Sequence, residues 1–139
     1  MKLFKLIITI LSLQLAQGCS GPAGPSNSGV YLLLDTSGTY TKELDNAIKL
    51  VNVLLVKMEP SDSLAVARID TGSFSEKDIV AKTTFNDRPS EANKQKRHFR
   101  EAMDTFVKEV KPSRFTDITG GVLQAAEYLN EKIPGGRPS

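Results

Sequence analysis

The residue pattern predicts an α/β domain. Three observations carry that reading: nearly uninterrupted apolar runs at Val30–Leu34 and Leu64–Ile69, amphipathic stretches with apolar residues every three or four positions, and the alternation of the two kinds along the chain. Continuous apolar runs, unlike alternating ones, are the pattern of strands covered on both faces.

Val30, Tyr31, Leu32, Leu33 and Leu34 lie between Gly29 and Asp35 and read as a central strand. A helix follows, because Leu44, Ala47, Ile48, Val51, Leu54, Leu55 and Met58 recur at helical spacing until Pro60 stops them. Pro60 to Ser63 turn the chain into a second strand, Leu64–Ile69. Strand, helix and strand in that order predict a right-handed parallel crossover. Thr71–Lys77 is small and polar, a loop, and Ile79–Phe85 reads as an edge strand. Asn86–Ser90 breaks it, with Ser90 the expected N-cap of a long helix whose apolar face is Phe99, Met103, Phe106, Val107 and Val110, ended by Pro112. Val122, Leu123, Ala125, Ala126, Leu129 and Ile133 support a last helix, with Thr116, Asp117 and Thr119 at its start. The result is βαββαα, a mostly parallel sheet flanked by helices.

The ends of the chain predict an exported protein. Lys2 and Lys5 precede an apolar core at Leu6–Leu15 interrupted only by Thr9, Ser12 and Gln14. Such a core falls well short of the ~20 residues a membrane-spanning helix needs, so residues 1–18 read as a removable signal peptide. Leu15-Ala16-Gln17-Gly18-Cys19 resembles a bacterial lipobox, which implies diacylation of Cys19. Cys19 is the only cysteine of the chain, and acylation accounts for a lone thiol in an exported protein. Two or three acyl chains hold a protein on a membrane without crossing it. Ser20 in the next position resembles lipoproteins sent to the outer membrane of Gram-negative bacteria. Residues 19–28, rich in Gly, Pro, Ser and Asn, read as a flexible tether, residues 29–133 as one domain, and 134–139 as a linker or truncated end.

Charge excludes a general nucleic-acid binder. The chain carries +2 from 18 basic and 16 acidic residues, and without Lys2 and Lys5 the two signs balance. The local run Lys94, Lys96, Arg97, His98, Arg100 reads as the solvated face of a helix. Catalysis is not expected: one histidine cannot supply a Ser-His-Asp set, and neither a Gly-rich phosphate loop nor a Cys/His zinc cluster occurs.

The residues after the first strand have a chemistry of their own. Asp35, Ser37 and Thr39 present one carboxylate and two hydroxyls where a buried strand ends, the place where open sheets collect ligands, and a hard cation such as Mg2+ takes oxygen ligands with some positions left to water. Alternate positions of an extended loop point the three side chains to one side, and Gly38 permits a sharp turn between them. Taken singly, Asp35 reads equally as the side chain that closes a turn, and Thr116-Asp117 as a helix N-cap.

Together these motifs resemble the von Willebrand factor A domain, over roughly Gly29 to Ile133. In that family a metal ion dependent adhesion site uses an Asp-x-Ser-x-Ser loop, matched by Asp35, Ser37 and Thr39, and a threonine from a second loop, matched by Thr116. The resemblance implies a Rossmann-like fold, Mg2+ or Mn2+ as the ion, and a protein partner that offers a carboxylate to it. The family's third-loop aspartate, with the strand that carries it, has no counterpart before Ser139, so the expected domain is C-terminally incomplete. Asp70 and Asp117 are candidates for substitute or supporting carboxylates. The expected function is that of an envelope lipoprotein binding a protein through this site. Two alternatives stand beside it. Asp35-Thr36-Ser37-Gly38-Thr39 also resembles the first motif of haloacid dehalogenase-like phosphatases, with Asp35 as nucleophile, although Ser37 replaces the aspartate that donates the proton there. The other alternative is a fragment without function.

Overall fold

The computed structural model describes residues 27–37, 41–69, 75, 78–111 and 113–133. The expected signal segment, Cys19, most of the expected tether, Thr39, Asp70 and residues 134–139 lie outside them. The elements are β1 (Gly29–Leu34), α1 (Thr41–Lys57), β2 (Ser63–Arg68), β3 (Ile79–Thr84), α2 (Pro89–Glu109) and α3 (Ile118–Lys132). No helix among the described residues is long and apolar enough to cross a membrane.

The sheet is mixed and three-stranded, in the order β1-β2-β3. β1 runs parallel to β2, Val30 opposite Leu64 and Leu32 opposite Val66, while β3 runs antiparallel to β2 with a register shift between Val66 and Ala67. A mostly parallel sheet was the expectation, and the third strand departs from it. A parallel partner needs a crossover of a dozen or more residues, which α1 supplies between β1 and β2, whereas no helix lies between β2 and β3 among the described residues.

A second correction concerns which strand is central. Among the described residues the run Val30–Leu34 forms an edge, all six residues of β1 being half-exposed, and Ser63–Ala67 occupy the middle, fully buried. Both runs are equally apolar, and pairing on two sides distinguishes them. The edge position expected for Ile79–Phe85 is the one β3 occupies.

One face of the sheet carries the larger core. Val51, Leu55 and Met58 of α1 and Ala92, Phe99 and Met103 of α2 close over Leu64, Val66 and Phe85, with Val30, Leu32 and Leu34 at the margin. The alternation of β1 sends Tyr31 and Leu33 to the opposite face, where, among the described residues, α3 lies alone. There the sheet and helix approach closely: a Cβ at Gly121 would stand 2.6 Å from Ile69 Cγ2 and 3.1 Å from Leu33 Cδ2. The buried residues of α3 are therefore Gly121 and Tyr128. Val122 and Leu123, expected on its apolar face, are exposed.

Helix α2 starts one step before the expected cap. Arg88 is the N-cap without a side-chain bond, and Pro89 holds the first turn, where its missing N–H costs nothing. Asn86 accepts from the Arg88 N–H at 2.8 Å instead. Three members of the basic run on α2 are engaged within the fold: Lys96 donates to Met58 O, Arg100 to Asn52 Oδ1, and Lys94 pairs with Glu91, each at 2.8 Å.

The turn before β2 is fixed by one carboxylate. Asp62, 7% exposed, accepts the backbone N–H groups of Ser28 and Glu59, each at 2.7 Å. Ser61 takes a positive φ of 68° there, held by its N–H on Phe85 O and its hydroxyl on Asp87 Oδ1.

Candidate metal centre

The carboxyl end of β1 points Asp35 into solvent, and the segment before α3 meets it. Ser37 forms a parallel bridge with Ser113, and the Ser113 N–H donates to Thr36 O at 3.3 Å. Thr36 itself is fully buried, which turns its neighbours Asp35 and Ser37 outward. On the other side the Asp117 N–H donates to Ile69 O at 2.9 Å, so residues 113–117 are tied both to the end of β1 and to the end of β2.

This double attachment delivers Thr116 to Asp35. Thr116 Oγ1 stands 3.5 Å from Asp35 Oδ1, across 81 positions of the chain, and the Ser37 N–H donates to the same oxygen at 2.8 Å. Hydrogen bonds from the Ser37 side chain and backbone, helped by Thr116, hold the Asp35 carboxyl below the usual carboxylate range. One ionised oxygen with two hydroxyls beside it is the result.

Asp117 is placed differently. It is the N-cap of α3, its Oδ1 accepting from the Gly120 N–H at 2.8 Å. Its side chain therefore supports the helix that follows the loop. Thr39 and Asp70 fall outside the described residues. Sequence reasoning missed Ser113, whose contribution is a backbone bridge and leaves no side-chain pattern to read. It also missed Glu43, which lines a cleft of about 350 Å³ with Leu33, Leu34, Asp35, Leu44 and Ala47 beside the rim.

The donors on this rim are hard oxygens with a single formal charge among Asp35, Ser37 and Thr116, a set suited to a hydrated Mg2+ or Mn2+. Among the described residues there is no group of three or more His, Cys, Asp or Glu side chains able to hold a metal. Any ion here rests on hydroxyls and water as much as on carboxylate.

Comparison with protein-family models, with curated proteins and with solved structures gives no match for this chain. The functional reading therefore rests on the residues and geometry described above.

Proposed function

We propose that this chain is a lipid-anchored protein of the bacterial cell envelope whose von Willebrand factor A-like domain binds a protein partner through a divalent cation, Mg2+ or Mn2+, at Asp35, Ser37, Thr39 and Thr116. The observation that carries the reading is the approach of Thr116 Oγ1 to Asp35 Oδ1 at 3.5 Å from two loops far apart in sequence. Cys19 supplies the anchor, and residues 19–28 give the domain reach from the membrane.

Each residue has a definable task. Asp35 provides the one negative charge, and its lowered pKa keeps it ionised at neutral pH. Ser37 and Thr116 add neutral oxygens, which leave the positive charge of an ion largely uncompensated. When bound, the ion supplies an open coordination position for a carboxylate of the partner. Asp35 and Thr116 are exposed, so a macromolecule can reach them. Asp117 positions the second loop by capping α3, and no group is asked to transfer a proton, so the domain binds without catalysing.

A thermal melt with and without Mg2+ tests this. A ligand that binds only the native state raises stability by RT ln(1 + [L]/Kd), about 1.4 kcal/mol at ten times Kd, which moves the Tm of a domain of this size by roughly 5–10 °C. That rise is expected in the native chain and none in Asp35→Asn. A melt unmoved by Mg2+ and Mn2+ at tens of millimolar would overturn it.

A further inference from the structure

An open cleft between α1 and α2 concentrates positive charge. Asn93, Lys96, Arg97 and Arg100 follow one another at spacings of three, one and three on α2 and so share one stripe. With Leu55 and Val56 of α1 they line a cleft of about 370 Å³, and its lining holds three cations and no carboxylate. Helix α2 packs against β3, the strand farthest from β1 in the sheet, and Asn52 of α1 meets Arg100 of α2. The cleft therefore lies on the flank of α1 turned away from the outer edge of β1.

Two of the three cations are held in place by the fold. Lys96 Nζ donates to Met58 O at 2.8 Å and lies 5.5 Å from the centre of the Phe85 ring, and an ammonium has further protons to donate. Arg100 uses its Nε on Asn52 Oδ1, and beyond that bond stands the guanidinium fork, which can grip two oxygens of one phosphate. Arg97, between them, is exposed. Cations held beforehand lose less entropy on closing around an anion. The rim of the cleft is apolar: Val56 is 79% exposed, and Val53, one turn earlier on α1, is 52% exposed.

We propose that this cleft takes the phosphate of an anionic phospholipid headgroup, in the membrane on which the proposed Cys19 anchor holds the domain. The inference rests on that anchor and not on the ion at Asp35. Charge complementarity argues for it, because clustered Lys and Arg are drawn to an anionic lipid surface, and exposed valines beside them suit its boundary with the acyl chains. The entry of the expected tether argues for it as well. Ser28 donates to Asp62, and the same carboxylate holds the Glu59 N–H, one residue after the Met58 carbonyl that takes Lys96. The cleft and the tether thus share one end of the domain. Asp35 lies at the other end of the six-residue β1, ~20 Å along the strand. A headgroup in the cleft seats the first end on the membrane and turns the Asp35 rim outward, toward a partner.

Amide resonances of the full chain in phosphatidylcholine nanodiscs, followed as the fraction of phosphatidylglycerol is raised, test it. Those of Asn93, Lys96, Arg97 and Arg100 are expected to move and saturate, while those of Ser37 and Thr116 stay in place. Arg97→Gln, at an exposed position, is expected to raise the half-saturating fraction about fivefold with unchanged helical circular dichroism. Lys108→Gln removes the same charge outside the cleft and is expected to leave that fraction unchanged. If Arg97→Gln fails to fold, the resonances of the native chain decide alone. Cleft resonances that stay fixed overturn the proposal. So does an equal effect of the two substitutions, or the same movement produced by inorganic phosphate at tens of millimolar without phosphatidylglycerol, which makes the site one for free phosphate. Mass spectrometry of the chain from bacterial membranes reads the anchor separately: a Cys19 without acyl mass overturns the anchor, whatever the cleft resonances do.

Discussion

Two aspartates stand near opposite ends of β1 and do opposite things. Asp62, beneath Ser28 at the start of the strand, is buried and has both carboxylate oxygens engaged by backbone N–H groups. Asp35, at the end of the strand, is exposed and is surrounded by side chains that carry hydroxyls, with one backbone donor. The first has its acceptor capacity committed to the fold. The second keeps capacity in reserve. A carboxylate that closes a turn is thus separated from one that can take a ligand by who its partners are and by whether water reaches it.

The largest effect expected from this contrast is at the buried end. Asp62→Ala strands the N–H groups of Ser28 and Glu59, and at about 1–3 kcal/mol for each unmade bond the loss is about 2–6 kcal/mol in a urea or guanidinium titration. A loss no larger than that of an average surface substitution would erase the distinction. Next, Asp117→Ala removes the cap of α3 and is expected to cost about 1 kcal/mol, while also weakening any response to Mg2+ because Thr116 is the residue before it.

A smaller effect tests the α3 face. Tyr31 stacks edge-on to Tyr128, ring centroids 5.4 Å apart at 66°, and its hydroxyl is buried without a hydrogen-bond partner. Burial, with Tyr128 and Asp78 nearby, pushes its phenol up to about 12. Because the folded pKa lies above the unfolded one, the unfolded chain ionises first as pH rises. Stability is complete below about pH 10 and falls between pH 10 and 12. Tyr31→Phe is expected to be neutral or stabilising by up to ~1 kcal/mol at pH 7 and to flatten that alkaline loss, read from melts across the pH range.

Much of this architecture was legible in the residues. The apolar runs and helical spacings mark all six elements in order, because burial against a neighbouring layer imposes those periods whatever the neighbour is. Strand position was not legible: Val30–Leu34 and Leu64–Ile69 carry the same pattern, and only pairing makes one an edge and the other the centre. The buried face of α3 escaped because its closest contact is Gly121, which has no side chain to register as apolar. The start of α2 escaped because Pro89, rather than a capping side chain, sets it. At the rim, Asp35 and Ser37 stood out through the chemistry and spacing of their side chains and Thr116 through the family resemblance alone; that the fold brings Thr116 beside Asp35 is what the structure adds. Ser113 was not, since it acts through its backbone.

The central claim is that oxygens from the two loops form one site. Titration of the chain with Mg2+, followed by the amide resonances of Ser37 and Thr116, tests it most directly. Both resonances are expected to move with a single dissociation constant, and neither in Asp35→Asn, whose stability without metal should differ from the native chain by less than about 0.5 kcal/mol. Resonances that stay fixed, or that move equally in the variant, would contradict it.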